Sequence, residues 1–408
     1  MSDLQNYFKN IREQFPQLKQ QINGHPLTYL DSTNTTLKPQ TVIDRITRFY
    51  TMENSNVHRG GYTLSQTTTQ AFEDTRKKVA AFLGAEPEEI VYVRGTTEGV
   101  NFIAQTAALA FLKPGDEIMI TELEHHANIV PWQLVAEQRN LVLKVCKIHD
   151  DGSIDENDFK KNLSNKTKIV SFTACSNVLG NYTPVAKLSA LAHEVGAMVV
   201  IDGAQLVAQK QIRVKDLGAD FFVFSSHKLF GPTGIGFVYG RKDLLEKMPP
   251  YHGGGSMISK VTFAKTTYND IPHRFEAGTP HIEGVIGFNE ALTFVSKIDF
   301  TKLREWEMHL HDLIMKGLKA IPEVIVYGTK DNKAPIISFN LKGAHNSDVA
   351  QILDEQGVEV RAGHHCAQPL MERLGVPGTI RVSLSVYNDE ADVERFLKAL
   401  GKAKEILL

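Results

Sequence analysis

Phe221-Phe-Val-Phe-Ser-Ser-His-Lys228 is the stretch that decides the fold. Its apolar residues do not alternate with polar ones, which is the pattern of a strand covered on both faces. The same pattern recurs upstream in Glu89-Ile-Val-Tyr-Val93, Glu117-Ile-Met-Ile-Thr121, Lys168-Ile-Val-Ser-Phe-Thr173 and Ala197-Met-Val-Val-Ile201. Helical stretches separate these runs. Glu98–Leu112 is one, stopped by Pro114-Gly115, and Val185–Val195 is another. Strand and helix in alternation predict a mostly parallel α/β sheet. Polar residues stand just after the strands: Thr96, His125, Asn177, Asp202 and Ser225. Ligands of open α/β sheets bind at the carboxyl ends of the strands, so the chemistry is expected along one sheet edge.

From about residue 295 the pattern changes. Ile336–Leu341, Val358–Arg361 and Thr379–Leu384 alternate in polarity, with helices expected at 346–356 and 389–405. This predicts a smaller α+β unit with a half-exposed sheet. A chain of 408 residues suggests two domains. The expected division is an N-terminal segment, 1–24, packing with the small unit, then a large unit, 25–294, and a small one, 295–408. The formal net charge of −2 implies no polyelectrolyte partner. No basic stripe with interleaved aromatics is present, which argues against nucleic acid. The N-terminus lacks an apolar signal core and no run is long enough to span a bilayer, so no membrane is expected. Cys146, Cys175 and Cys366 are scattered, giving no disulfide framework and pointing to a reducing cytoplasm.

Several of the strand-end residues suit one cofactor. Lys228 follows a buried run, where desolvation would turn an ammonium that ordinarily titrates near about 10.4 into a nucleophile. A loop lysine taken alone is usually exposed. Asp202 ends another buried strand, where a carboxylate is costly without a cation. A protonated pyridine nitrogen at about 4 Å would contribute about 4 kcal/mol before desolvation. Capping the next helix is the equal alternative for Asp202. His125 or His126 could stack on a ring and move protons. No third ligand at zinc-type spacing accompanies them, so no metal is expected. Gly95-Thr96-Thr97 opens a helix and, with Ser225 and His227, offers a phosphate cradle; plain N-capping is the other reading of Thr96 and Thr97. Gly231-Pro-Thr-Gly234-Ile-Gly236 lies between strands and reads as a turn beside Lys228, not as a dinucleotide fingerprint. Schiff-base lysine, pyridine counter-ion, stacking group and phosphate cradle are together the parts of a pyridoxal 5'-phosphate site.

Five motifs carry a resemblance. They are Glu124-His-His-Ala-Asn-Ile-Val-Pro-Trp132, Asp202-Gly-Ala-Gln205, Ser225-Ser-His-Lys228, Arg274-Phe-Glu-Ala-Gly-Thr279 and Arg361-Ala-Gly-His-His-Cys-Ala-Gln-Pro369. In this order they resemble the class II cysteine desulfurases of the SufS type, within the pyridoxal phosphate-dependent class V aminotransferase superfamily, from Tyr29 to Tyr387. The resemblance implies the type I pyridoxal phosphate fold (aspartate aminotransferase-like) and a homodimer. It implies conversion of L-cysteine to L-alanine with a persulfide on Cys366, supplying sulfur for iron–sulfur cluster assembly through a SufE- or SufU-like acceptor. By the same resemblance Lys228 anchors the aldehyde, Asp202 pairs with the pyridine nitrogen, Gln205 bonds the ring hydroxyl and His125 stacks on the ring. Thr97, Ser225 and His227 would hold the phosphate, with Thr279 reaching in from the second subunit. Asn177 and Arg381 would bind the substrate carboxylate, and Arg361 would bind the substrate beside them.

Arg381 falls on the polar face of an alternating strand. Freed Lys228 would take the α-proton, and Cys366 would attack the substrate sulfur as a thiolate, helped to ionise by Arg361 or by a protonated His364 or His365. Cys146 and Cys175 sit in or beside apolar strands and are expected to pack. The chain departs from the family at Thr33 and Asn34, where two alanines are usual, and at Tyr62, where histidine is usual. Rival readings on the same scaffold are a lyase for L-selenocysteine, a cysteine sulfinate desulfinase, or an aminotransferase. A non-catalytic sulfur-relay scaffold is the rival of another class, and the presence of Lys228 and Asp202 argues against it.

Overall fold

Apolar runs with no polar side have only one another to satisfy their backbone groups, so they assemble edge to edge. The structure, a computed structural model, describes residues 2–329 and 331–408. Seven strands form the central sheet: β1 (Ile90–Val93), β2 (Glu117–Thr121), β3 (Val142–Cys146), β4 (Thr167–Thr173), β5 (Met198–Asp202), β6 (Phe221–Ser225) and β7 (Gly236–Gly240). Their order is β1-β7-β6-β5-β4-β2-β3. β7 runs antiparallel to both its neighbours, and the pairings from β6 through β3 are parallel. β1, β2, β6 and β7 are buried along their whole length. Alternate residues feed two cores. Val91, Ile118, Val223 and Val238 point into one, and Tyr92, Met119, Phe222, Phe224 and Phe237 into the other. Side chains of period two with apolar groups at every position require cover on both faces. Helices α2 (Thr96–Phe111), α3 (Val130–Arg139) and α4 (Val185–Glu194) connect these strands.

Before the sheet stands helix α1 (Ser2–Arg12); after it come the long helix α5 (Phe300–Lys319) and a second sheet. Strands β8 (Val324–Tyr327), β9 (Ile336–Leu341), β10 (Arg361–Gly363) and β11 (Thr379–Ser383) are antiparallel in the order β8-β9-β11-β10. Helices α6 (Asn346–Glu355) and α7 (Glu390–Leu407) pack beside it. The expected half-exposed sheet is corrected here. β11 is buried throughout, and β9 at every position but Asn340. Its second face meets the large layer instead of water: Ser338 Oγ donates to the Val178 carbonyl at 2.6 Å, and Arg381 Nη1 to the Asn177 carbonyl at 2.9 Å. Arg381 is therefore 1% exposed, on a polar face turned inward. The single strand expected over 358–361 is split. Val358–Glu359 pairs in parallel with Thr28–Tyr29, and β10 begins at Arg361.

The start of the chain joins this C-terminal layer. Phe8 stacks on Trp306 of α5 with ring centroids 5.7 Å apart, and Arg12 Nη1 meets Asp392 Oδ2 of α7 at 2.7 Å. Among the described residues, no helix is long and apolar enough to cross a membrane.

Candidate active site

Lys228 lies on a short turn, Ser226–Lys228, that ends β6, and Asp202 is the last residue of β5 beside it. Asp202 is 4% exposed and accepts the Ala204 amide at 2.9 Å. The next residue must be glycine: a Cβ on Gly203 would fall 1.9 Å from the Phe222 ring. Burial raises the carboxyl pKa of Asp202, opposed by the Lys228 charge. Burial lowers the Lys228 pKa, opposed by Asp202. A buried acid and a buried amine thus favour each other's charged form, and a cationic ring would add to the Asp202 side.

The cradle is built where β1 enters α2. The Thr96 amide donates to Ser225 Oγ at 2.8 Å, and the two hydroxyls are 2.8 Å apart. β7 comes so close that a Cβ on Gly236 would sit 2.5 Å from Gly95 Cα. The first amides of a helix have no intrahelical acceptor, so this end favours an anion. His227 brings a buried Nδ1 without a partner among the described residues. Burial, then the Lys228 and Lys38 charges, lower its pKa to about 4.

His125 follows β2 and accepts the Ala127 amide on Nδ1 at 3.0 Å, which fixes the ring. Burial first, then the Lys228 charge, lower it to about 3, so the ring is neutral near pH 7. Behind it stands Glu124, which the sequence reading missed. It accepts from Thr121 Oγ1 and Asn128 Nδ2, each at 2.6 Å, and from the Thr173 amide at 3.1 Å. Asn128 in turn accepts from Trp132 Nε1 at 2.9 Å and Ser171 Oγ at 2.6 Å. The spacing of Glu124, Asn128 and Trp132 by four residues was the available signal. Burial raises Glu124 to about 8.

Cys366 is carried over this floor by the loop between β10 and β11. His365 and Cys366 both take left-handed backbone, φ 52° and 55°, a conformation that costs non-glycine residues roughly 1–2 kcal/mol each. Three bonds to the large layer hold the loop: the His126 amide to the Cys366 carbonyl at 2.7 Å, the Gln368 amide to His126 Nε2 at 3.0 Å, and Asn177 Nδ2 to the His365 carbonyl at 2.8 Å. His126, left above as one of two ring candidates, is thus a holder of this loop. His364 Nδ1 accepts the Cys366 amide at 3.2 Å. His365 is turned away to Thr379, and its pKa is lowered to about 2 by burial and by Arg381 and Arg361. A protonated His365 as helper of the thiol is therefore corrected, because a cation there would be buried beside two others. Arg361 Nη2 is the group that reaches Cys366 Sγ, at 3.4 Å. Cys146 and Cys175 are buried, at 0% and 1% exposure.

The remaining candidates divide. Asn177 and Arg381 meet beside the loop, and Arg381 Nη2 is also held by Asp31 Oδ1 at 2.7 Å. Gln205 Nε2 donates to the Thr33 carbonyl at 2.9 Å. Thr279 lines another cleft, about 970 Å³, with His58, Arg59, Arg94, Glu98 and Tyr251. That cleft adjoins the start of α2 and does not include Lys228.

A pyridoxal phosphate fits this arrangement. An amine and a carboxylate are buried side by side, a helix start with hydroxyls faces them, and His227 offers an unpartnered buried nitrogen. Lys228 would hold its aldehyde, Asp202 its nitrogen, His125 its ring face and the Thr96–Ser225–His227 cradle its phosphate.

Residues 28–396 match the aminotransferase class-V family. A probable cysteine desulfurase of Vibrio cholerae is 46% identical over 401 residues, which cover 97% of this chain and 98% of that protein. The crystal structure of the cysteine desulfurase CsdA from Escherichia coli superposes with a TM-score of 0.92 at 38% identity, covering 98% of this chain and 99% of that one. A C-DES mutant with glycine covalently linked to its pyridoxal phosphate shares the fold, with a TM-score of 0.82 at 21% identity over 95% of this chain and 98% of that one.

Proposed function

The chain belongs to the aminotransferase class-V family, and we propose that it takes sulfur from L-cysteine onto Cys366 as a persulfide, leaving L-alanine. It is a cysteine desulfurase, and its cofactor is pyridoxal 5'-phosphate. When bound, that cofactor draws electrons from the substrate's Cα and so loosens the α-proton. Lys228, whose pKa burial lowers, takes this proton on Nζ. Arg381 and Asn177 orient the substrate carboxylate. The Cys366 thiolate attacks the substrate sulfur: a sulfur–sulfur bond forms, the carbon–sulfur bond breaks, and its electron pair stays with the carbon skeleton, which is protonated to alanine. The step needs no outside oxidant, and a later thiol releases the sulfide.

One observation carries this reading. Cys366 Sγ stands on a strained loop, within 3.4 Å of a guanidinium, pinned over the buried Lys228–Asp202 pair. The test is alanine release from L-cysteine by the cofactor-loaded protein with a reductant present. Alanine should appear in step with sulfide. Cys366→Ala should lose persulfide and at least about 100-fold of the rate, as removal of a nucleophile does, and still carry cofactor on Lys228. An unchanged rate in that variant removes Cys366 from the reaction.

The unit works as a homodimer in which Thr279 completes the partner's phosphate cradle. Support comes from the Thr279 cleft beside α2, which Ile258 of the hairpin Ile258–Val261/Thr266–Tyr268 helps to line, and from the exposed apolar residues Tyr62 and Phe263, the latter at that hairpin's tip. The sulfur is destined for iron–sulfur cluster assembly through a SufE- or SufU-like acceptor, which the resemblance supports. The chain divides near residue 295, with the N-terminal segment, 1–24, packing with the smaller unit; the Phe8–Trp306 stack and the Arg12–Asp392 pair support that.

A further inference from the structure

The geometry points to Asn34 as a positioning residue that acts on Cys366 through Arg361. The inference rests on the reading of Cys366 as the sulfur acceptor. Asn34 follows the Asp31–Ser383 bridge, at the place where the chain leaves the C-terminal layer. Its Oδ1 accepts from Arg361 Nη1 at 3.1 Å, and Arg361 Nη2 donates to Cys366 Sγ at 3.4 Å. A guanidinium is a rigid planar fork, so fixing one prong aims the other. Arg361 stands half-buried on β10, and Asn34 and Cys366 are the hydrogen-bond partners of its side chain among the described residues. Without Asn34 the fork is held only by the sulfur it is meant to serve.

Neighbouring groups do not replace that tie. Lys228 and Arg381 lie close enough to feel a charge on Cys366. Arg381, however, is committed to Asp31 and the Asn177 carbonyl, and the Cys366 carbonyl and amide are taken by His126 and His364. Two short neighbours fix the base of Asn34: the Thr33 amide donates to Ser383 Oγ at 2.9 Å, and the Thr33 carbonyl accepts from Gln205 at 2.9 Å. An alanine at position 34 would keep this backbone and lose the carboxamide. The role is therefore carried by the side chain, at a position where this chain differs from the family pattern.

The test reads the sulfur without substrate. Holoenzyme is treated with iodoacetamide at fixed pH, and single-site modification is followed by intact mass; Cys146 and Cys175 are too buried to compete. Asn34→Ala should slow alkylation by about two- to tenfold, the worth of one hydrogen bond, with cofactor absorbance and Tm unchanged. Asn34→Ala added to Arg361→Ala should slow it no further, because the two act as one unit. If Arg361→Ala fails to load cofactor, Arg361→Lys serves as the background, since its single ammonium replaces the fork. Asn34→Gln, which carries the same carboxamide, should recover part of the loss. Alkylation of Asn34→Ala at the wild-type rate overturns the proposal, as does a full additional loss on the Arg361 background. A Cys366→Ala protein that still releases alanine normally would instead sink the reading of Cys366, and the alkylation results would still decide whether Asn34 aims Arg361.

Discussion

At the scale of single residues, Asp202 and Lys228 define the site because each is unfavourable alone. Burial raises the acid's pKa and lowers the amine's, and each restrains the other's shift. A positively charged ring nitrogen beside Asp202 would be worth about 4 kcal/mol at about 4 Å before desolvation. Asp202→Asn keeps the shape and removes the charge. Alanine release should then fall by about 100-fold or more, while cofactor stays attached through Lys228. The check is a turnover assay run beside cofactor stoichiometry on the same sample. Asparagine at full rate would reduce Asp202 to a cap on the turn at Ala204. Both residues were legible in combination: Asp202 ends one apolar run and Lys228 follows another, and only together do they outweigh a helix cap and an exposed loop lysine. Arg381 was legible as a residue but not as a placement. Alternation put it on a polar face, and nothing local said that the face would be covered by Asn177 and Asp31.

Among the elements, the loop between β10 and β11 carries a buried histidine that makes it sensitive to pH. His365 is 1% exposed, its Nδ1 has no partner among the described residues, and burial plus two arginines hold its pKa at about 2. An unfolded histidine titrates near about 6.5. Between those values the unfolded chain binds more protons, so stability rises with pH and is lost as pH falls below about 6.5. The loss is about 1.4 kcal/mol per pH unit, or about 2 kcal/mol by pH 5. His365→Gln keeps a donor for Thr379 at the position of Nε2 and cannot take the proton. Its Tm should drop less than the wild type's between pH 7 and pH 5, and parallel curves would acquit His365. The central strands were readable because apolar runs without alternation mean cover on both faces. The smaller sheet misled because β9 and β11 alternate in sequence, yet their polar side meets another layer of protein. The bonds that hold the loop, from His126 and Asn177, join residues far apart in the chain, and no local spacing announces them.

For the whole molecule the open question is whether one chain makes a complete site. Lys228 and Thr279 stand in different places within one protomer, and Thr279 faces the separate cleft of about 970 Å³ beside the start of α2. In a two-fold dimer the same cleft would meet the partner's surface, and each site would take Lys228 from one chain and Thr279 from the other. That arrangement can be tested by complementation. Lys228→Ala protein should be inactive for want of the amine. Thr279→Asp places a carboxylate against a phosphate and should be close to inactive by like-charge repulsion. Mixed dimers are prepared with two affinity tags so that one protomer carries each change. If Thr279 serves the partner, one site in the mixed dimer has both native residues, and about half the wild-type activity returns. The other site has neither. If Thr279 serves its own chain, each site lacks one essential residue and the mixed dimer stays inactive. Because both parents are inactive alone, the returned activity cannot come from residual homodimers, and its size counts the rebuilt sites directly.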